Sequence, residues 1–393
     1  MAENITNRIN LKGNNDLIVG MDKVVEFFRK EYFDSFTAKG GASIKFLSGK
    51  KGSGKSSLLA LLEQTAKEEG FYTSSLSADT IYLNDFSQLY LEILNSFDFE
   101  TCVIKICSSV VKDCGYSYAV SSPLSVLDQM ANDGTLDPLT RQELKSAVKR
   151  KLLNNPYMDR NFALVLSLFC YHKLGLADLE DTSKDILLRW IHADKDLKLT
   201  TLRSFGLLPY RINKYNARSL IRSLSELVKL AGYQGLFVGI DNLDILISTS
   251  SLEAVHYTKM KRDDAYEALR QLVDEVDTFR YIFFVFVFDH SLLHDEKNGI
   301  KSYQALWLRL QNEIVSKRLN LFQNLLDMER INETYLTAEV LVEMSERLST
   351  YLTTLSLSSV PISRDKAESI ISQAKLGALP MPILVNQETT KLD

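Results

Sequence analysis

Glycine and proline are scarce in this sequence. The 393 residues include 17 glycines and 7 prolines, about 6% of the chain, where average usage of the pair is about 12%. Because tight turns depend on these residues, their scarcity predicts long helices and few hairpins. The hydrophobic fraction of 45% excludes a disordered chain, and the length predicts two or three lobes that share a core.

Paired cysteines and long apolar runs are also missing. Neither Cys-x-x-Cys nor zinc-ligand spacing occurs among the four cysteines, which are Cys102, Cys107, Cys114 and Cys170. We therefore expect buried thiols in a reducing compartment. The strongly apolar stretches 162–170 and 281–288 are about half as long as a membrane helix, and the amino end lacks the pattern of a signal peptide. We expect a cytoplasmic protein without a membrane segment, in which the Asn-x-Thr triplets at Asn4 and Asn332 are accidental.

Neither sign of charge dominates. The 46 basic and 50 acidic residues exclude a chain built chiefly to coat nucleic acid, which is usually strongly basic. Two local basic stretches are interpreted either as solvated faces or as tracks for nucleic-acid phosphates. The first contains Arg141, Lys145, Lys149, Arg150 and Lys151, and the second contains Arg203, Arg211, Lys214, Arg218 and Arg222.

The order of apolar patterns predicts an α/β protein with a parallel sheet flanked by helices. Strands are predicted at 43–48, 71–76, 235–241 and 281–289. Helices are predicted at 18–33, 56–69, 86–97 and 261–277. Nearly every segment between 100 and 230 is predicted to be helical, which indicates a large all-helical insertion or a lid lobe. Helices return after Ser302, one of them with Thr337 as its N-cap, and the residues after Pro380 and Pro382 are expected to form a tail.

A glycine-rich motif lies between the first predicted strand and the following helix. Gly49-Lys-Lys-Gly-Ser-Gly-Lys-Ser56 fits Gly-x4-Gly-Lys-Ser/Thr, the Walker A or phosphate-binding loop (P-loop). Its glycines let consecutive N–H groups face a triphosphate at a helix N-terminus. Lys55 would reach the β- and γ-phosphates, and Ser56 would ligate Mg²⁺, so that a nucleoside triphosphate with magnesium is the predicted ligand.

An acid ends the apolar strand at 235–241, as in the Walker B motif. In P-loop nucleoside triphosphatases this acid holds magnesium, which makes Asp241 the second predicted metal ligand. Many such ATPases place a glutamate next, but this chain has Asn242, whose amide cannot accept a proton. Three interpretations stay open: slow hydrolysis, hydrolysis supported by Asp244 or by a neighbouring subunit, and a nucleotide-dependent switch without meaningful turnover.

Further polar residues follow the next strand. Asp289 and His290 either contact the γ-phosphate or form an ordinary turn at the end of the strand. Arg309, Arg318 and Arg330 lie beyond them. One of these arginines could complete the site within the chain, or could reach into the site of a neighbouring subunit as an arginine finger. The alternative is that each is an ordinary surface arginine.

These motifs resemble the P-loop ATP-binding proteins of BREX-type bacterial antiphage systems, the BrxC/BrxD-like ATPase family. The resemblance lies in Ile18-Val-Gly-Met-Asp, in the loop 49–56, in Arg189-Trp190-Ile191, and in the runs 231–241 and 299–310. It implies an AAA+-like core related to replication-initiator ATPases, with a carboxyl-terminal helical lid and ATP and Mg²⁺ as ligands. It also implies work in a multi-protein defence complex acting on DNA, with helicase, methylase or nuclease subunits or further copies of the chain as candidate partners.

Two positions depart from the family pattern. Asp241-Asn242-Leu243-Asp244 stands where the family commonly has Asp-Glu-x-Glu, which puts ATP hydrolysis in question. Leu379-Pro380-Met381 stands where a basic residue after proline would be expected, which puts a sensor arginine of the lid in question.

The chain is predicted to have four segments and one set of site residues. Segment 1–99 is the first half of an ATPase core, 100–230 a helical insertion, 231–320 the second half of the core, and 321–393 a helical lid with the tail. The candidate catalytic residues are Lys55, Asp241, Asn242, Asp244, Asp289 and Arg309, and the candidate metal ligands are Ser56 and Asp241. The candidate nucleotide-binding residues are Ile18, Val19, Gly49, Lys50, Lys51, Gly52, Ser53, Gly54, Lys55, Ser56 and Ser57.

Three functions are compared on this basis. The first is an ATPase or ATP-dependent switch, and the second is a nucleotide-stabilised scaffold with little turnover. A small-molecule kinase is the third and has the least support, because no compact lid with paired arginines follows the loop.

Overall fold

A five-stranded parallel sheet forms the centre of the fold. The structure, a computed structural model, describes residues 18–250, 254–311, 319–377 and 379–390. The strands are β1 (Ala42–Gly49), β2 (Tyr72–Ser77), β3 (Leu236–Asp241), β4 (Ile282–Asp289) and β5 (Leu325–Asp327). They lie in the order β2-β3-β4-β1-β5, and every neighbouring pair is parallel. The four predicted strands are confirmed, and the three-residue β5 is too short for periodicity to indicate.

Helices cover both faces of this sheet. Those before β2 are α1 (Asp22–Phe28) and α2 (Lys55–Glu68). Those between β2 and β3 are α3 (Phe86–Asn95), α4 (Phe99–Asp113), α5 (Val126–Asn132), α6 (Pro138–Val148), α7 (Arg160–Leu174), α8 (Asp181–Ile191) and α9 (Ala217–Leu230). Those between β3 and β5 are α10 (Lys259–Asp274), α11 (Ser291–His294) and α12 (Gln304–Leu310). After β5 come α13 (Met328–Tyr335), α14 (Ala338–Thr354), α15 (Arg364–Lys375) and α16 (Met381–Thr390). In these ranges no helix is at once long enough and apolar enough to cross a membrane.

The uninterrupted apolar run of β4 reflects burial on both faces. The even-numbered residues from Ile282 to Phe288 pack in one hydrophobic cluster with the helices between β2 and β3. The odd-numbered residues from Phe283 to Val287 pack in a second cluster with α1, α2 and the helices after β5. A strand covered on both sides cannot alternate polar and apolar residues, which is typical of parallel sheets.

The parallel register brings the carboxyl ends of the strands to one edge of the sheet. Gly49 of β1 lies beside Asp289 of β4, and Ser48 lies beside Asp327 of β5. Beyond β4 in the same sheet, Ser77 of β2 lies beside Asp241 of β3. Open parallel sheets bind their ligands outside this edge.

The segment after Pro380 is a helix, so the expectation of a tail was wrong. α16 begins at Met381, and Pro382 lies in its first turn, where a missing N–H breaks no hydrogen bond. Leu384 and Val385 are buried in the second hydrophobic cluster. The two prolines mark the start of a helix rather than the end of the folded structure.

The segment predicted as one helix at 18–33 is only partly α-helical. The α-helix α1 ends at Phe28, and a wider π-helical turn follows at Arg29–Asp34.

Burial of α16 predicts a difference between two leucines near the carboxyl end. Leu384 is 7% exposed, whereas Leu376 is 88% exposed. Leu384→Ala is expected to lower the free energy of unfolding by roughly 2–4 kcal/mol, because it leaves a cavity in the core. Leu376→Ala, the matched control, is expected to change it by less than about 0.5 kcal/mol. Urea unfolding followed by circular dichroism measures both, and equal effects would contradict the packing of α16.

Candidate nucleotide-binding site

The glycine-rich motif forms the loop between β1 and α2. Gly52 and Gly54 have φ angles of +83° and +97°. This left-handed conformation costs residues with a Cβ atom roughly 1–2 kcal/mol. α2 begins at Lys55 directly after Gly54. Its first N–H groups have no acceptor within the helix and carry the positive end of the helix dipole, an arrangement that binds phosphate groups.

The side chain of Lys55 folds back onto the start of the glycine-rich loop. Its Nζ donates hydrogen bonds to the carbonyl oxygens of Gly49 at 2.7 Å and Lys50 at 2.8 Å. It also lies 3.8 Å from the carboxylate of Asp289. Burial lowers the pKa of Lys55, and four nearby carboxylates oppose that shift. In decreasing order of effect they are Asp289, Asp244, Glu329 and Asp241.

Asn242 and Asp244, which lie after the acid of β3, have separate structural roles. Asn242 has a φ of +59°, a conformation in which asparagine is favoured over most residues. Its Nδ2 donates to Ser77 Oγ at 2.7 Å and so connects the ends of β3 and β2. Asp244 Oδ1 accepts the backbone N–H of Asp289 at 3.0 Å. The asparagine therefore stabilises a turn, and the aspartate connects β3 to β4.

A cluster from β4, β5 and α13 supports the other side of the loop. Glu329 Oε1 accepts the backbone N–H of Lys50 at 2.8 Å. His290 Nε2 lies 3.2 Å from Glu329 Oε2 and 3.3 Å from Asp327 Oδ1. The hydrogen bond to Asp327, with the charge of Glu329, raises the pKa of His290. Sequence reasoning selected His290 but missed Glu329, because no local pattern connects it to a loop 279 positions earlier.

A cavity of about 140 Å³ opens beside the loop. Ser53, Gly54 and Ser57 border it on the loop side, and Ile18 and Val19 border it before α1. These five candidate nucleotide-binding residues, far apart in sequence, are therefore brought together. The remaining lining comes mostly from apolar side chains of α13, α14 and α16.

The carboxyl-terminal helices also contact the loop directly. A Cβ atom at Gly52 would collide with the side chain of Ile383 in α16. Lys50 Nζ donates to the carbonyl oxygen of Gly377 at 3.4 Å. The loop therefore lies between the sheet edge and the helices after β5.

The candidate arginines lie in different environments. Arg309 forms an ion pair with Asp274 at 2.8 Å and donates to the carbonyl oxygen of Ala305. Arg330 is exposed and borders a second cavity, which it shares with His290. Arg318 lies outside the described residues. No hydrogen bond from Arg309 to the loop is found in the described part of the chain, so its role as an arginine finger stays a prediction.

The described residues form a parallel α/β protein with a glycine-rich loop at the carboxyl edge of its sheet, compatible with a P-loop-like core. The family model for the BREX system ATP-binding protein BrxC/D matches residues 10–378, nearly the whole chain. The chain belongs to this family, which confirms the resemblance seen in the sequence. The family description supports ATP binding and a place in BREX antiphage defence. A search of curated proteins finds no match.

The contact between Gly52 and Ile383 predicts a difference between two glycines that have the same backbone conformation. Gly52→Ala is expected to destabilise the protein more than Gly232→Ala. Both have positive φ angles, but nothing lies within 4 Å of a Cβ atom at Gly232. Gly232→Ala should cost only the backbone strain of about 1–2 kcal/mol. Urea unfolding without nucleotide compares the two variants.

Ile383→Ala supplies the second half of this test. Combined with Gly52→Ala, it should recover part of the lost stability, because it removes the side chain that collides. A combined loss equal to the sum of the single losses would show that the two residues do not interact.

Proposed function

We propose that this protein is a P-loop ATPase or ATP-dependent switch with an AAA+-like core. The arrangement around Lys55 carries the proposal. A partly buried ammonium group lies on a glycine-rich loop at a helix N-terminus, and the carboxylates of Asp241, Asp244 and Asp289 are close enough to influence its pKa. This is the distribution of charge that phosphates and a divalent cation require together.

The residues present suit ATP with Mg²⁺. The left-handed conformation of Gly52 and Gly54 lets the loop curl, so that its backbone N–H groups can face phosphates. Ser56 and Asp241 offer hard oxygen ligands of the kind that Mg²⁺ prefers. The bound cation would offset phosphate charge, while Lys55 would exchange the carbonyls of Gly49 and Lys50 for phosphate oxygens. The apolar cavity beside Ser57 would take the base.

A scaffold with little turnover is the second candidate, and the hydrogen bond from Asn242 to Ser77 favours it. The position that many ATPases give to a catalytic glutamate is here used to connect two strands. The carboxylate of Asp244, the alternative base, already accepts a hydrogen bond from the backbone N–H of Asp289. Both observations support slow hydrolysis more than fast hydrolysis.

We extend the proposal to a cytoplasmic defence complex that acts on or near DNA. On α6 and the turn after it, Arg141, Lys145, Lys149 and Arg150 are exposed and without ion pairs in the described ranges. Lys151, the last residue of this stretch, pairs with Asp113. In the second basic stretch two residues are paired, Lys214 with Asp264 and Arg218 with Glu275. The first stretch is therefore the better candidate for phosphate contacts. Partner subunits, or further copies of the chain, would complete the assembly.

Lys55→Ala is expected to weaken Mg²⁺-dependent ATP binding on the order of 100-fold, because it removes the cation that contacts the phosphates. Lys67→Ala is the matched control, since Lys67 lies near the other end of α2 and pairs with Glu63. Isothermal titration calorimetry with ATP and magnesium measures both. Unchanged binding by the Lys55 variant would refute the proposed site.

Asn242→Glu is expected to raise the rate of ATP hydrolysis on the order of 100-fold, because it supplies a carboxylate base. Asn242→Gln is the control, with the same size and the same backbone strain but no base. Phosphate release is measured for both variants and the wild type, with and without DNA. A wild type that is already fast and is slowed by Asn242→Glu would contradict this interpretation of Asn242.

A further inference from the structure

Three side chains from different elements converge beside the glycine-rich loop. His290 follows β4, Asp327 ends β5, and Glu329 lies in the first turn of α13. Each offers one ligand atom, an imidazole nitrogen or a carboxylate oxygen, and these three atoms all lie within 4.8 Å of one another. All three residues are only partly exposed. Nitrogen and oxygen atoms gathered in this way are suited to hold a divalent metal ion.

The spacing of these atoms agrees with that of metal ligands. His290 Nε2 lies 3.2 Å from Glu329 Oε2 and 3.3 Å from Asp327 Oδ1. Two ligands of a tetrahedral ion, each about 2.1 Å from it, lie about 3.4 Å apart. Glu329 Oε2 is buried and forms no hydrogen bond with the described residues, although His290 Nε2 is so near. That contact therefore lacks the geometry of a hydrogen bond, and an ion between the three atoms would satisfy the oxygen.

The three side chains are positioned by backbone hydrogen bonds. Glu329 Oε1 accepts the N–H of Lys50, and Asp327 Oδ1 accepts the N–H of Glu329 at 3.0 Å. The backbone N–H of His290 donates to the carbonyl oxygen of Gly49 at 3.1 Å. Carboxylates that bind metals are oriented by hydrogen bonds of this kind. The cluster is thus arranged by the ends of the strands and by the loop itself.

A cavity gives an ion access to the cluster. His290 and Asp327 border a cavity of about 450 Å³. The burial of Glu329 Oε2 from water does not exclude an ion, because an ion contacts an oxygen at about 2.1 Å whereas a water molecule contacts it at about 2.8 Å. With three protein ligands, a water molecule from the cavity would supply the fourth.

We propose that His290, Asp327 and Glu329 bind a divalent transition-metal ion, of which Zn²⁺ is the best match. One nitrogen with two carboxylate oxygens suits zinc, whereas Mg²⁺ prefers oxygen ligands alone. The cluster is separate from the predicted magnesium ligands Ser56 and Asp241, since two strands lie between β3 and β5 in the sheet. Because Glu329 also accepts an N–H of the loop, the ion would stabilise the loop with or without a nucleotide.

The test titrates ZnCl₂ into untagged protein that a chelator has freed of metal, without nucleotide, in a calorimeter. Wild type is expected to bind one equivalent. Glu329→Gln should weaken binding on the order of 100-fold, because it replaces a charged ligand, while its amide oxygen can still accept the N–H of Lys50. His294→Ala is the matched control, since His294 borders the same cavity outside the cluster, and it should keep the wild-type affinity.

Thermal unfolding supplies a readout that is independent of calorimetry. Zinc is expected to raise the Tm of wild type and of His294→Ala, but not that of Glu329→Gln. A wild type that binds no zinc would overturn the inference, because a protonated His290 would then bridge the two carboxylates alone. Equal weakening in both variants would overturn it as well, since it would indicate adventitious binding to histidines around the cavity. MgCl₂ that binds as tightly as ZnCl₂ would contradict the choice of ion.

Discussion

Two hydrogen bonds to residues of α13 hold the glycine-rich loop in place. Glu329 accepts an N–H near the start of the loop, and Asn332 donates to a carbonyl near its end. A glycine-rich segment has much conformational freedom, and fixing it costs entropy that these bonds and the contact with Ile383 offset. The site therefore depends on residues encoded far from the motif that identifies it.

The same arrangement brings opposing charges together. Lys55 lies partly buried near carboxylates and donates hydrogen bonds to backbone oxygens, and His290 lies between Asp327 and Glu329. Carboxylates that lie close together at the sheet edge are stabilised by a nearby cation. The parallel strands β1, β4 and β5 end at the same edge, which brings the residues at their carboxyl ends close together. The parallel register thus explains why residues from distant parts of the chain interact electrostatically.

The sequence allowed prediction of the features that have a local signature. The strands around the glycine-rich loop and the N-cap Thr337 are confirmed, because apolar runs and capping residues act over a few positions. The strand β5 and the contacts of Glu329 and Asn332 depend on tertiary packing and have no such signature. The segment of α16 was predicted as a tail because proline often ends a helix, but proline also fits the first turn of a helix.

The left-handed turn at Asn242 has a consequence for variation at this position. Asparagine adopts that conformation at little cost, whereas a glutamate there would bear strain of roughly 1–2 kcal/mol before it performed any chemistry. The backbone conformation at this position therefore favours asparagine over glutamate. A homologue with glutamate at this place should relax the turn or compensate elsewhere, so the φ angle at this residue becomes a structural marker that separates the two kinds of site.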